Sequence, residues 1–334
     1  MLSGLPDYCA RYSLRVLCVV DMTLKEKELI RRIREATKTP SGRTGRGIGD
    51  DCAVLPLPKG HEALITTDFS LEDVHFRRAW HPSDSVGHRC LARGLSDIAA
   101  MGGVPRAAFL SLALPAQVPQ NWVDGFTRGF LKLAKRHGVT LSGGDTAQSP
   151  QGVMADVILL GSVPTGSAVL RSGARPGDSI YVTGRLGDSV ASLEELREGK
   201  GLRPKLHRRH FYPEPRLAVG QYLREKKLAS AMIDISDGLS TDLGHICEES
   251  GVGAVVHADE IPATPGKQGL QFALHGGEDY ELLFTARADR RIPKLIAAVP
   301  VKRIGQVVHG KHMKLVWADG RSEDLQPRGW EHFT

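Results

Sequence analysis

The amino-acid sequence predicts a mixed α/β protein built from two domains. Three observations predict this fold class: a length of 334 residues, an alternation of short apolar runs with amphipathic helical patterns, and a polar Gly- and Arg-rich turn near the middle of the chain. A chain of this length exceeds the usual size of one domain. With 41% hydrophobic and 25% charged residues, the composition is that of a globular protein, which excludes disordered, fibrous and collagen-like classes.

The elements of the first half are predicted to begin after Met22, at a capping box formed by Thr23 and Glu26. Residues 1–21 are then an extension that is disordered or artefactual. Its apolar segment Leu14–Val20 makes a poor signal peptide because no small-residue cleavage site follows. Apolar runs and helical periodicity predict the later elements. The strands are Ala53–Leu57, Ala63–Thr67, Ala107–Leu114, Val139–Leu141 and Val153–Val163. The helices run from Ser83, a candidate N-cap, to about Met101 and over Trp122–Arg136.

The second half is predicted to restart after the polar turn Arg171–Asp178, with the domain boundary near residues 162–176. Strands and helices alternate here as they do in the first half. The strands are Ser179–Thr183, Ala231–Ile235, Ala254–His257, Glu281–Ala286 and Arg303–Val308, and the helices follow Gly187, surround Arg216–Lys226 and cover Leu239–Glu249.

The charge of the chain narrows the class of partner, and its cysteine content narrows the cellular location. The 44 Lys and Arg against 38 Asp and Glu leave a modest net charge of +6, which suits an anionic small ligand or indicates no particular partner. The densest basic run, Arg203–His210, lacks aromatic residues, so we interpret it as a solvated surface loop and predict no nucleic-acid partner. No apolar run reaches the length of a membrane span. Five scattered cysteines without a C-x-x-C pair argue against disulfides and zinc and predict a cytoplasmic location.

Aspartates recur at predicted strand ends and in helices, often beside Gly, Ser or Thr. They occur in Gly49-Asp50-Asp51, Thr66-Thr67-Asp68, Ser96-Asp97, Gly143-Gly144-Asp145 and Asp234-Ile235-Ser236-Asp237. Any one of them is most simply a turn or capping residue. Together they predict a shared site, because Mg²⁺ prefers oxygen ligands and binds through a few carboxylates plus substrate phosphates.

Familiar nucleotide-binding and hydrolase motifs are missing from the sequence. It contains no G-x-x-x-x-G-K-[ST], no G-x-G-x-x-G between a strand and a helix, no protein-kinase motif set and no G-x-S-x-G. A bound nucleotide would therefore rest on metal ions and on scattered backbone and Arg contacts.

Six segments follow one another in an order that identifies a family. They are Gly47–Leu55, Thr66–Phe76, Leu95–Gly102, Ser142–Thr146, Asp234–Leu239 and Gly276–Phe284. Each alone is a weak signal, but together they resemble thiamine-monophosphate kinases, which belong to the aminoimidazole ribonucleotide synthetase-like superfamily. The resemblance extends over roughly residues 22–334.

This resemblance implies a fold and a reaction. The fold has an N-terminal α/β domain, residues 22–165, that binds ATP and Mg²⁺ and dimerises through its sheet, followed by a C-terminal α/β domain, residues 166–334. The reaction is direct in-line phosphoryl transfer from ATP to thiamine monophosphate, the last step of thiamine diphosphate biosynthesis, assisted by several Mg²⁺ ions in a homodimer. The acceptor is a phosphate oxygen, so positioning and charge neutralisation would replace a strong general base.

The resemblance also assigns roles to individual residues. It implies catalytic roles for Asp50, Asp68, Asp97, Asp145 and Asp237, and Mg²⁺ ligation by the same five residues with Thr66, Thr67 and Asp234. It implies ATP contacts at Gly144, Asp145, Arg171 and Ser236. It implies that His75, Glu278 and Trp330 hold thiamine monophosphate, with the indole stacking on the thiazolium or pyrimidine ring.

Simpler interpretations stand beside four of these assignments. Without the resemblance, we would interpret His75 as a structural histidine and Trp330 as a hydrophobic anchor. Glu278 would be the start of a strand, and Arg171 would be part of a polar turn. Four residues at three places also depart from the family pattern. Asp73 replaces a usual Gly, which concerns the shape of the loop near the substrate. Thr127 replaces a frequent Tyr and Ala147-Gln148 replaces Thr-Arg, and both changes concern the affinity for nucleotide.

Two other functions compete with the kinase. A sister enzyme such as selenophosphate synthetase would need a reactive Cys and a Lys in the Gly-rich loop, and residues 41–49 contain neither. A non-catalytic nucleotide sensor would have no need for so many carboxylates that repel one another. The retained aspartates therefore favour the kinase.

Overall fold

The computed structural model describes residues 32–33, 35–37, 57–201 and 203–329. Within the predicted first helix, residues 32, 33, 35 and 36 are described and are helical. The predicted strand Ala53–Leu57 lies outside the described residues apart from Leu57, which is not in a strand.

The first half forms a four-stranded sheet covered on one face by two helices. Its elements are β1 (His61–Leu71), α1 (Ser83–Ala100), β2 (Val104–Leu114), α2 (Gln120–Arg136), β3 (Thr140–Gln148) and β4 (Met154–Pro164). The strand order is β1-β4-β2-β3; β1 and β2 are antiparallel to β4, and β3 is parallel to β2. Because side chains alternate along a strand, one face of this sheet packs against the helices and the other faces outward.

Helix α1 contacts elements of both halves of the chain. Fourteen of its eighteen residues are buried, because it packs against α2, the first sheet and elements of the second half. The approach to α2 is close enough to require glycine on both helices: a Cβ at Gly87 would lie 1.9 Å from the Phe126 carbonyl oxygen, and one at Gly129 would lie 1.8 Å from that of Asp84. A larger residue at either position would force the helices apart.

The second half forms a larger sheet with its own core. Its elements are β5 (Ser179–Thr183), α3 (Asp188–Arg197), α4 (Arg208–Phe211), α5 (Leu217–Glu225), β6 (Ala231–Ile235), α6 (Leu239–Ser250), β7 (Gly253–His257), α7 (Gly269–His275), β8 (Glu281–Ala286), β9 (Leu295–Ile296), β10 (Val299–Val308), β11 (Met313–Val316) and β12 (Ser322–Asp324). The strand order is β12-β11-β7-β10-β5-β8-β6, and β9 pairs with β10.

Three predictions about the elements need correction. Strand β3 continues to Gln148 rather than ending at Leu141, because its pairing with β2 extends through the Gly-Gly-Asp segment. Helix α1 begins after Pro82, and no side chain caps it, so Ser83 is not a cap. The run Arg203–His210 is not wholly a solvated loop, since residues 208–211 are helical and His210 is 1% exposed.

Along the described part of the chain, no helix combines the length and the apolar character needed to cross a membrane.

Candidate active site

A cavity of about 650 Å³ lies where the two halves meet. Its walls come from the end of β1, the loop after it, α1, α3, the end of β6 and the loop before β8. Of the residues predicted for the site, Asp68, His75, Asp97, Asp234, Ser236, Asp237 and Glu278 line it. The tertiary structure thus brings together motifs from the first and second halves of the chain.

Three aspartates from three elements form the acidic end of this cavity. Asp68 lies in β1, Asp97 in α1 and Asp234 in β6. The Thr66 hydroxyl donates a hydrogen bond to Asp97 Oδ2, and the Ser96 hydroxyl donates one to Asp234 Oδ2 over 2.7 Å. Neighbouring hydroxyl groups therefore fix two of the three carboxylates.

The environment of these aspartates disfavours their ionised forms. Burial, together with the charge of Asp97, raises the pKa of Asp68 to about 7. Burial and the same neighbouring charge raise the pKa of Asp234 to about 8, and burial also raises the pKa of Asp97. A cluster of buried carboxylates with raised pKa values needs a positive charge in order to ionise together.

The donor set fits a divalent cation. Asp68 Oδ2 is buried and has no hydrogen-bond partner among the described residues, so a carboxylate oxygen is left for another ligand. Carboxylate oxygens from Asp68, Asp97 and Asp234 are the ligand type that Mg²⁺ prefers. Asp237 lines the same cavity, and its carboxylate lies within 4.8 Å of ligand atoms of Asp242 and His245.

The first sheet separates Asp145 from this cluster. Asp145 in β3 is opposite Ser111, which is opposite Asp156 in β4, which in turn is opposite Phe69. By strand alternation this row lies on the face opposite Asp68. The Asp145 side chain is exposed and accepts a hydrogen bond from the Thr146 N–H over 2.8 Å.

Three further residues predicted to bind metal or ATP, Thr67, Gly144 and Arg171, do not line the cavity. The Thr67 hydroxyl donates a hydrogen bond over 2.8 Å to Asp156, a carboxylate that sequence reasoning missed. Gly144 precedes Asp145 with φ 152°. Arg171 is exposed, and its charge lowers the pKa of both Asp97 and Asp234 against the larger effect of burial. Arg171 is therefore electrostatically connected to the acidic cluster.

Glu278 is held by two arginines of α1. Arg89 and Arg93 each donate to its carboxylate over 2.6 Å, and both guanidinium groups are largely buried. Burial would raise the pKa of Glu278, but the two guanidinium groups outweigh burial and hold it well below its ordinary value. Arg93 also donates to the Phe69 carbonyl oxygen over 3.0 Å, so the same residue ties β1 to the loop before β8.

The two acidic residues after Glu278 are also engaged inside the protein. Asp279 Oδ2 accepts a hydrogen bond over 2.6 Å from the N–H of Gly187, which precedes α3. Glu281 is 0% exposed; it pairs with Arg216 and Arg209 and accepts a hydrogen bond from the Thr183 hydroxyl over 2.6 Å. The contacts of Asp279 and Glu281 thus connect β8 and the loop before it to other elements of the second half.

His75 belongs to the loop between β1 and α1. Its Nδ1 accepts a hydrogen bond from the Leu71 N–H over 3.0 Å, and its carbonyl oxygen accepts one from Arg89 over 3.2 Å. The structural interpretation of His75 therefore has direct support, while its side chain still lines the cavity. Asp50 and Trp330 lie outside the described residues.

Sequence reasoning found Asp97 in α1 but missed Arg89 and Arg93 on the same helix. Arg89, Arg93 and Asp97 are spaced four residues apart in a helix that is otherwise mostly apolar, which places them on one face. The four-residue spacing was the sequence signal for this shared polar face. The apolar residues elsewhere on α1 made that signal hard to recognise in the sequence.

Comparison with known proteins defines the class first. The family model described as AIR synthase related protein, N-terminal domain, matches residues 49–163, and that described as AIR synthase related protein, C-terminal domain, matches residues 175–318. The chain is therefore an AIR synthase related protein with both domains of that fold.

The relatives then define the family within this class. The thiamine-monophosphate kinase of Salmonella typhimurium is 38% identical over 329 residues, which cover 94% of this chain and 99% of the relative. The crystal structure of thiamine-monophosphate kinase from Stenotrophomonas maltophilia is 36% identical with a TM-score of 0.77, covering 90% and 99% of the two chains. AaThiL complexed with AMPPCP and TMP is 32% identical with a TM-score of 0.74, covering 97% and 100%. This chain belongs to the thiamine-monophosphate kinase family, a family of kinase enzymes.

Proposed function

We propose that the protein transfers a phosphoryl group from ATP to thiamine monophosphate, giving ADP and thiamine diphosphate. The observation that carries this proposal is the cavity between the halves, where Asp68, Asp97 and Asp234 converge with raised pKa values. The family's name and the relative's complex with AMPPCP and TMP support the two substrates.

Mg²⁺ held by these aspartates would supply positive charge between two phosphate-bearing substrates. The chain's own contribution is to fix the carboxylates: Thr66 and Ser96 orient Asp97 and Asp234 through hydrogen bonds. The acceptor oxygen belongs to a phosphate, so transfer in line needs positioning more than proton removal. Asp234, 4% exposed, lies at the buried, acidic end of the cavity.

The remaining site assignments are part of the same proposal. Ser236 lines the cavity and Arg171 acts on its carboxylates, which supports ATP contacts at both residues. Asp145 faces outward from the first sheet, so it would meet nucleotide or metal on that side, and its neighbour Gly144 in β3 keeps its proposed ATP contact. Asp50 and Trp330 keep their assigned roles as metal ligand and aromatic platform. The domain division at residues 165 and 166 is likewise proposed.

We also propose a homodimer formed through the first sheet. The outer face of β1 and β4 presents four exposed apolar side chains: Ile65 at 70%, Phe69 at 56%, Met154 at 42% and Ile158 at 38% exposure. This apolar patch, which surrounds the polar pair Thr67 and Asp156, is typical of a protein–protein interface. A cytoplasmic location completes the proposal; Cys90 and Cys247 are free and buried in the described structure.

The deciding experiment is an acceptor assay. Purified protein with ATP and Mg²⁺ is incubated with thiamine phosphate or with free thiamine, and ADP and thiamine diphosphate are quantified. We expect thiamine phosphate to be the acceptor and chelation of Mg²⁺ to stop the reaction. If free thiamine is the better acceptor, the proposed function is wrong.

A further inference from the structure

The positive charge of the chain is concentrated in one segment of the second half. Residues 287–314 contain eight Lys and Arg against a single acidic residue, Asp289, so this segment carries +7 in a chain whose total is +6. All eight basic residues are exposed. The rest of the chain is therefore close to neutral, and the excess charge belongs to one exposed stretch of sequence.

Most of this charge is not neutralised by the described residues. Arg287 pairs with Asp289 over 3.4 Å, and Lys302 pairs with Glu260 over 3.0 Å. All four side chains are exposed, so both ion pairs are weak. No ion pair with a described residue is formed by the other six: Arg290, Arg291, Lys294, Arg303, Lys311 and Lys314. Their charge is available to an external anion.

A β-hairpin lies in the middle of this basic segment. Strands β9 and β10 pair with Leu295 opposite Pro300, and Ala297-Ala298 forms the turn between them. Strand β10 pairs with β5 from Val301 onward, so the hairpin lies at one end of the larger sheet. Basic residues precede the hairpin and follow it in the sequence, which places the turn within the basic segment.

The two faces of the hairpin have different surroundings. Ile296 and Val301 are 3% and 8% exposed and pack in the same core as the apolar residues of α1. By strand alternation and register, Leu295, Pro300 and Lys302 lie on the opposite face. Leu295 is 61% exposed. The buried face therefore holds the hairpin in place, while the other face presents a leucine and a lysine to solvent.

The turn of the hairpin adds apolar surface in a strained conformation. Ala297 and Ala298 have φ of 48° and 63°, in the left-handed region, where turns of this length favour Asn and Gly. Both alanines are exposed. Alanine here costs energy and leaves a methyl group in solvent instead of a polar side chain, and strain of this kind is typical of a functional position.

An exposed leucine within a ring of basic residues matches the chemistry of an anionic lipid surface. The headgroup phosphates attract Lys and Arg, and the boundary between headgroups and acyl chains accepts an apolar side chain. A nucleic acid would match the charge but not the leucine. Residues 287–314 also contain no Phe, Trp or Tyr that could stack on a base.

We propose that the hairpin of β9 and β10 docks on an anionic phospholipid surface. Leu295 enters the boundary between headgroups and acyl chains, and the basic residues around the hairpin, led by Arg290, Arg291 and Lys294, face the phosphates. The association is peripheral and reversible. The hairpin contains none of the residues proposed for phosphoryl transfer or dimerisation, so this inference does not rest on the proposed function.

Vesicle co-sedimentation of the full-length protein tests this docking surface. Vesicles of phosphatidylcholine with about 30% phosphatidylglycerol should bind the protein, whereas vesicles of phosphatidylcholine alone should not. Added salt should weaken binding, because it screens the attraction to the headgroups. The double substitution Arg290→Glu and Arg291→Glu should lower the partition coefficient at least ~10-fold, and Leu295→Ser should lower it about threefold.

The matched controls lie in another exposed stretch of the second half. Arg203→Glu combined with Lys205→Glu makes the same charge change at two exposed basic residues, and Leu206→Ser makes the same polar change at a leucine that is 73% exposed. Both controls should bind vesicles as the wild type does. Thermal melting of each variant shows whether it is folded.

Three results would overturn the inference: no sedimentation of the wild type with anionic vesicles, an equal loss of binding in the control at Arg203 and Lys205, or an unchanged partition coefficient in Leu295→Ser. Competition with single-stranded RNA at equal phosphate concentration distinguishes lipid from nucleic acid. Release of the protein by RNA would assign the surface to nucleic acid and overturn the inference, whereas retention on the vesicles supports it.

Discussion

At Asp68, burial and the neighbouring Asp97 act in the same direction and raise the pKa of the carboxyl to about 7. Ionised carboxylates that are close together and partly desolvated destabilise the fold when no cation is bound. Under the proposed function this cost is retained because a cluster of carboxylates in a cleft can bind the divalent ion that neutralises two phosphates. The residue proposed to bind metal therefore also lowers the stability of the metal-free fold.

Asp68→Asn tests this view of the acidic cluster. We expect turnover to fall at least ~100-fold, because a ligand that positions the charge of the metal is lost. In metal-free buffer at pH 8, the free energy of unfolding should rise by on the order of 1–3 kcal/mol, because one repelling charge is removed. Activity and denaturant unfolding in chelator are the measurements. Asp259→Asn, at an exposed carboxylate, is the control, and normal turnover in Asp68→Asn would contradict the metal-cluster mechanism.

His88 predicts a pH dependence of stability. It is buried in α1 with Nε2 2.7 Å from the Pro213 carbonyl oxygen, and burial lowers its pKa to about 4. The unfolded chain binds a proton near pH 6.5 and the folded chain only near pH 4, so stability is full above about pH 6.5 and falls as pH drops toward 4, by ~3 kcal/mol for this group.

Denaturant unfolding between pH 4.5 and 7.5 measures this effect. His88→Gln keeps a donor toward Pro213 but cannot be protonated, so the dependence should become shallower. Substitution of the exposed His309 by Gln should leave the slope as it is in the wild type. An unchanged slope in His88→Gln would show that His88 is not the group responsible.

At the scale of elements, α1 joins the two halves through charge as well as through apolar packing. Its Arg89 and Arg93 hold Glu278, and its Ser96 holds Asp234 of β6. These contacts connect residues that are 138 to 189 positions apart in the sequence. One helix therefore sets both the position of the acidic cluster and that of the loop before β8.

Glu278→Gln should be strongly destabilising. The substitution leaves two buried guanidinium groups without their counter-charge, and removal of one partner from a buried pair costs ~3–5 kcal/mol. Glu198→Gln is the matched control, because Glu198 pairs with Lys200 at the surface and should cost less than ~1 kcal/mol. Urea unfolding of both variants gives the comparison. If the two losses are equal, the pair of arginines does not act as a clamp.

At the scale of the whole molecule, the first sheet has two faces with different roles. One face packs on α1 and α2 and carries Asp68. The other exposes Ile65 and Phe69 and carries Asp145. A second copy on the outer face would bury the apolar patch and bring the two sets of acidic residues into one assembly.

The double substitution Ile65→Asp and Phe69→Asp should therefore abolish dimerisation. Charges placed in an apolar interface cannot be desolvated without a large cost. Light scattering at micromolar concentration should report the monomer mass of 36.3 kDa for the variant and twice that mass for the wild type. Leu206→Asp, at a residue that is 73% exposed but outside the sheet, is the control. A variant that stays dimeric would place the interface elsewhere.

Elements with strong local patterns could be read from the sequence. Strands Ser179–Thr183, Ala231–Ile235 and Glu281–Ala286 occur at the predicted bounds, because short runs of buried apolar residues leave few alternatives. The extension of β3 through Gly143 and Gly144 was not predictable in this way. Glycine has low strand propensity, and only the pairing with β2 holds it in the sheet.

The sequence by itself determined the family, through motif order, and the residue types of the acidic site. Only the tertiary structure decided which aspartates meet, because strand register puts Asp68 and Asp145 on opposite faces of one sheet. It also decided that Glu278 is clamped by arginines of a helix almost two hundred residues earlier in the chain. Local patterns follow from neighbouring residues, whereas these contacts depend on the packing of distant elements and on the burial that packing creates.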